Sequence, residues 1–180
     1  MSRRRAVNGQ RRTDGGAGDA VGVHCAECGA VLPESGGCLA LFHALLALEA
    51  QVADAPGAAP HFLAVATYNL QHPSTFTLPA LTGLRRTVAD VLAGRATIAD
   101  VRRRAGDAAR GPARVKRREG EAASEEEHAT LVAWPTHWPT TVLDVCRVAP
   151  AQYVDRVTRW ATDTIQSLDE ALGALPAVSR

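Results

Sequence analysis

From Ala151 to Leu172 the residues Val154, Val157, Ala161, Ile165, Leu168 and Leu172 recur at three- and four-residue spacing, drawing one apolar stripe down a long helix. The same period repeats upstream. Phe42, Leu45, Leu46 and Glu49 share one face of a helix over 38–51, beside Leu39 and Leu41, and Leu81, Leu84, Val88, Val91 and Leu92 do so over 79–93. Gly94 closes the latter. Asp54, Pro56 and Gly57 end the first of these helices, and a further one spans 60–72. Pro60 suits its first turn, and Pro73 disfavours helical geometry at His72. Thr97-Ile98-Ala99-Asp100 and Thr141-Val142-Leu143-Asp144 read as capping boxes, the first opening a weaker helix to about Ala109. Their likeness reflects a shared way of starting a helix rather than an internal repeat. The expected fold class is mostly α: a small helical bundle.

Composition makes that bundle lean. Apolar residues are 46% of the chain, but many are alanine, and aromatic residues are only 4%. Trp134, Trp138 and Trp160 are expected as packing anchors, and Cys146 as a core thiol. A net charge of +1 marks neither a strong nucleic-acid binder nor an acidic mimic. No run of about 18 apolar residues exists, so no membrane span is expected. Residues 1–20 are rich in Arg, Gly and Asp and read as a disordered basic tail without the apolar stretch of an export signal. A cytoplasmic setting with reduced thiols follows as an expectation. Residues 21–175 then form a single helical domain. Within it, 106–135 reads as a charged, mobile insertion, basic from Arg110 to Arg118 and acidic at Glu119, Glu121, Glu125, Glu126 and Glu127.

The most chemical segment is His24-Cys25-Ala26-Glu27-Cys28-Gly29, followed by turn signals at Pro33, Gly36 and Gly37. Two thiolates two residues apart can grip one tetrahedral ion, and the glycine lets the backbone fold round it. A second such pair is missing, so zinc must find two more ligands among Cys38, His43, His61, His72 and His24. If the first two helices form an antiparallel hairpin, Cys38 and His72 meet at the end next to the knuckle. His61 falls at the far end, about 16 Å along the axis from His72. A cysteine at a helix start also has its thiolate favoured by exposed amides. The preferred set for a structural zinc is therefore Cys25, Cys28, Cys38 and His72, with His43 in reserve because its spacing is also finger-like. Tyr68 and Gln71, within a turn of His72, are candidates to orient its imidazole. At the far end Glu49 lies on an apolar stripe, where a lone carboxylate is costly, and His61 is its natural partner. A hydrogen bond closing the hairpin accounts for that pair more simply than acid–base chemistry or a second metal site does.

The order Cys25-x-x-Cys28-Gly29-Ala30, Cys38, Phe42 to Glu49, His61 and Tyr68-x-Leu70-Gln71-His72-Pro73 resembles the bacterial DUF5946 family. Thr141-Val142-x-Asp144-Val145 and Tyr153-x3-Val157-x2-Trp160-Ala161 resemble its C-terminal pattern, so the likeness covers about residues 23–170. It implies one domain with a shared Cys/His site and supplies no reaction. Its pattern includes both His61 and His72, which keeps the choice of histidine open.

Function follows only in outline. A zinc-stapled helical domain that binds another, unspecified protein explains the knuckle without catalytic machinery. A metal-dependent enzyme is the alternative, although H-E-x-x-H and the deaminase signature are absent. Nucleic-acid binding through the arginine runs is disfavoured by the acidic run beside Arg110–Arg118 and the lack of stacking aromatics. A thiol redox role for Cys25 and Cys28 is weakened because the pair does not open a helix after a strand.

Overall fold

A computed structural model describes residues 23–32, 36–52, 57–111, 114–118, 120 and 122–173. The basic tail at 1–20, Pro33, the break at Asp54 and Pro56, and the acidic Glu119 and Glu121 lie outside the described residues.

The described chain is mostly helical. A two-residue hairpin, β1 (Val23–His24) with β2 (Val31–Leu32), pairs antiparallel with Val23 opposite Leu32. Then follow α1 (Cys38–Glu49), α2 (Ala58–Gln71), α3 (Leu78–Leu92), α4 (Ile98–Arg110), α5 (Glu125–Val132), α6 (Val142–Cys146) and α7 (Tyr153–Leu172). Helix α7 packs on α2 and α3, while α1 packs on α6. The core holds Trp160, Tyr153, Leu45, Leu70, Leu81, Leu168, Val88 and Val157, with Trp134 and Trp138 buried beside them. No described helix is long and apolar enough to cross a membrane.

Differences from the sequence reading have local causes. Helix α7 starts at Tyr153, after a 3-10 turn over Pro150–Gln152, and Tyr153 rather than Val154 faces the core. Tyr153, Val157, Trp160, Ala161, Thr164, Ile165 and Leu168 hold one face of a 3.6-residue helix. Val154 falls in the same arc, but in the first turn of α7 it stays 38% exposed. Helix α5 sits inside the stretch expected as a charged insertion. Ser124 caps it, accepting from the Glu127 amide while the Glu127 carboxylate accepts from the Ser124 amide. Acidic residues that suggest solvated loop by composition are, in a first helical turn, matched to the positive end of the helix. Between α4 and α5 the chain also touches Phe76, which bridges to Lys116, and Val115 O accepts from Thr77 N at 3.1 Å.

Both expected capping boxes are present, at Thr97/Asp100 and Thr141/Asp144. Arg85 sits in the buried row of α3, a cation among apolar neighbours. Its guanidinium donates to Asp169 and to Gly173 O, tying α3 to the end of α7. Helix α4 stands apart: none of its residues is buried.

Candidate metal centre

Cys25 and Cys28 lie in the turn that joins β1 to β2. The Gly29 amide donates to Cys25 O at 2.9 Å and the Cys25 amide to Ala30 O at 2.9 Å, so the backbone curls with both sulfurs on its inner side. Gly29 has φ +71°, and a Cβ there would stand 2.9 Å from Thr136 O. Only glycine meets both demands. Cys38 is the first residue of α1, following Gly37, and His72 follows the last residue of α2. The hairpin of α1 and α2 brings that start and that end together beside the knuckle.

One ligand atom from each of Cys25, Cys28, Cys38 and His72 lies within 4.8 Å of the other three. Cys28 Sγ and Cys38 Sγ are 3.4 Å apart, and Cys25 Sγ is 3.7 Å from His72 Nε2. A tetrahedral zinc with Zn–S near 2.3 Å and Zn–N near 2.0 Å spaces its donors by about 3.6–3.8 Å. The Cys25–His72 separation matches that figure, and the Cys28–Cys38 separation is a few tenths of an ångström shorter. They are far too long for a disulfide, whose sulfurs lie about 2.05 Å apart, and all four cysteines are free.

The imidazole is prepared as a ligand. His72 Nδ1 is 2.8 Å from Tyr68 O, and since a carbonyl only accepts, Nδ1 carries the hydrogen and Nε2 presents its lone pair to the sulfurs. Burial lowers the His72 pKa, outweighing the Tyr68 carbonyl and the Glu27 charge, which favours the neutral form a metal requires. Tyr68 stacks on His72 with ring centroids 4.1 Å apart, and Phe42 stacks on Tyr68 at 4.2 Å. Two rings, Tyr68 and behind it Phe42, thus back the imidazole. Burial, with the nearby thiols adding to it, raises the Tyr68 phenol to about 12. Glu27 Oε2 accepts from the Ser74 amide at 3.0 Å, tying the knuckle to the turn after His72.

The three thiols differ. At Cys25 burial pushes the pKa up, but the amides of Cys28 and Glu27, helped by the other two thiols, bring it below its usual value. Burial raises Cys28 to about 11 against the Ala30 amide, and Cys25 adds to the rise. Burial and both neighbouring thiols raise Cys38 further. Burial and the crowding of three sulfurs therefore outweigh the helix start expected to favour a Cys38 thiolate.

The other candidates lie elsewhere. His43 is exposed on α1, five residues beyond Cys38 and so about 140° round the helix from it. His24 is exposed, with Nδ1 3.2 Å from Gly29 O. His61 Nδ1 is 2.9 Å from Glu49 Oε2 at the opposite end of the hairpin. The Gln71 side chain makes no hydrogen bond to the His72 imidazole. It is fully buried, and its amide nitrogen donates to Thr140 O and Thr164 Oγ1, each at 2.9 Å. Cys146 is half-buried on α6, donating to Leu143 O, apart from the cluster. The Phe42 stack and the Glu27 tie had no distinct sequence signal, whereas the four-residue spacing of Tyr68 and His72 did.

Since the Tyr68 ring fixes the imidazole, Tyr68→Ala is expected to weaken metal binding by about 10-fold or more. Tyr68→Phe, which keeps the stack, should bind nearly as the parent does. Competition titration against a chromogenic chelator reads both.

The fold and site define a class: a helical bundle whose first two helices are joined at one end to a Cys3His cluster. The profile of DUF5946, a family of unknown function, matches residues 23–169, and the chain belongs to that family. No curated protein and no solved structure gives a match.

Proposed function

We propose that Cys25, Cys28, Cys38 and His72 hold one structural zinc ion, and that the chain works as a zinc-stapled binding module for another protein. The observation that carries the first half is the convergence of three thiols and one correctly presented imidazole within 4.8 Å. Sulfur-rich donor sets select zinc over harder cations. Four protein donors close a tetrahedral shell and leave no position for water or substrate, which favours a structural over a catalytic role. Exposed apolar side chains beside the cluster support the second half. Val23 is 69% exposed, Val31 49% and Leu39 57%, all on the elements that the metal would rigidify. A cytoplasmic, reducing setting fits thiols that must stay free to ligate.

Elemental analysis of untagged protein tests the reading. It should find one zinc per chain, and chelation should lower the unfolding temperature. Cys28 and Cys38 give up protons to bind metal, so retention should weaken as pH falls, by up to about tenfold per pH unit for each proton displaced. Protein that is metal-free as purified, takes up no zinc when it is offered, and melts identically with and without chelator would overturn it.

A further inference from the structure

Beside α3 lies a cleft of about 1140 Å³, lined from α2 and α3 and bounded across the gap by α4. That is somewhat larger than the roughly 300–1,000 Å³ that small-molecule sites ordinarily enclose. Phe62, Phe76 and Leu84 line it from the body, and Val101, Ala105 and Ala108 line it from α4. An amphipathic helix ordinarily buries its apolar stripe, yet α4 buries no residue and its stripe faces this space.

Gly83 sharpens the point. It stands in the middle of α3 with an ordinary φ, and apart from its chain neighbours and the local helix backbone no atom lies within 4 Å of where its Cβ would be. Glycine inside a helix is unfavourable relative to alanine, and neither the backbone nor a close neighbour demands it here. Its effect is to leave the wall of the cleft open.

The rim is cationic. Arg86 is exposed and makes no ion pair among the described residues. Arg95 Nε and Arg104 Nη1 share a single carboxylate, Asp90, at 3.1 and 2.9 Å. Asp169, the other acid on the lining, is taken by Arg85. Three guanidinium groups therefore face one available carboxylate above an apolar floor.

We propose that this cleft binds one amphipathic anion of the long-chain carboxylic acid class. Its hydrocarbon tail lies along Gly83, Leu84 and the inner stripe of α4, and its carboxylate meets Arg86 and Arg104. Charge complementarity selects the acid over a neutral lipid, since guanidinium groups recognise carboxylates through charge-assisted hydrogen bonds.

The test is fluorescence titration of the full chain with 11-(dansylamino)undecanoic acid, followed by displacement with dodecanoic acid or 1-dodecanol. Saturable uptake of one probe per chain is expected, with the acid displacing it at least about tenfold better than the alcohol. Gly83→Leu fills the cleft without straining α3 and should cut probe affinity more than about tenfold while circular dichroism and melting temperature are kept. Arg86→Gln, at an exposed position, should weaken the acid and leave the alcohol unchanged. Absence of saturable uptake, equal displacement by acid and alcohol, or undiminished binding by Gly83→Leu would each overturn the proposal.

Discussion

Cys28→Ser is expected to release the metal and to lower the unfolding temperature by more than about 8 °C. The size follows from linkage. A ligand present at a thousand times its Kd adds about 4 kcal/mol to stability, and each kcal/mol moves the melting point of a chain this long by roughly 2–4 °C. Cys28 is fully buried and 3.4 Å from Cys38, so its loss also disconnects the β1–β2 turn from α1. His72→Ala should do less, because three thiols remain and water can complete the shell. Cys146→Ser serves as the control: Cys146 lies outside the cluster and should change the melting point little. Differential scanning calorimetry with metal analysis of the same samples reads the order Cys28, His72, Cys146. A Cys28 variant that keeps both its metal and its melting point would sink the assignment of that sulfur.

Gln71→Ala is the second large effect, expected at about 2–4 kcal/mol, which is roughly 5–15 °C in melting temperature. Two costs combine. The alanine leaves a void among buried side chains, and Thr140 O loses the amide that donates to it. Gln71→Glu gives the matching test of charge. Burial raises the pKa of a carboxyl at this position, so the neutral acid, which can still donate, prevails at low pH. A group whose folded pKa is raised contributes stability below its unfolded pKa and loses it as pH rises through the folded one. The Glu variant should therefore melt closer to the parent in acid and fall away toward neutral pH. Chemical denaturation across pH measures this, and a pH-independent loss would show that Gln71 matters only for its volume.

Cys28 belongs to the Cys-x-x-Cys knuckle and Gln71 immediately precedes His72, yet the two were not equally legible. The cluster could be read because its chemistry is unusual and its geometry local. A thiol pair in the knuckle, a third thiol at a helix start and a histidine before a proline are brought together by a single hairpin. Helix periodicity was equally plain, and both Thr-x-x-Asp boxes cap real helices. Gln71 was not legible. Its partners, Thr140 and Thr164, are 69 and 93 residues away, and nothing in the local sequence says which chain will return to it. Arg85 was hidden for the same reason, since its acceptors lie on the end of α7. Helix α5 was hidden differently: its acidic composition resembles solvated loop, and only the Ser124/Glu127 box marks a helix start. The cleft beside α4 could not be foreseen either, because an amphipathic stripe shows that a face seeks cover without showing that the neighbouring helix stands off.

The position of the cluster along the chain bears on the order of events during synthesis. All four donors fall between residues 25 and 72, whereas α2 packs chiefly against α7, which begins at Tyr153. Closing a short loop costs less entropy than closing a long one, and chains emerge from their N-terminal end at about 5–20 residues per second. The knuckle and the first hairpin can therefore be fastened several seconds before the partner of α2 exists. An ion captured then would hold the apolar face of α2 in place, as a template on which the later helices condense.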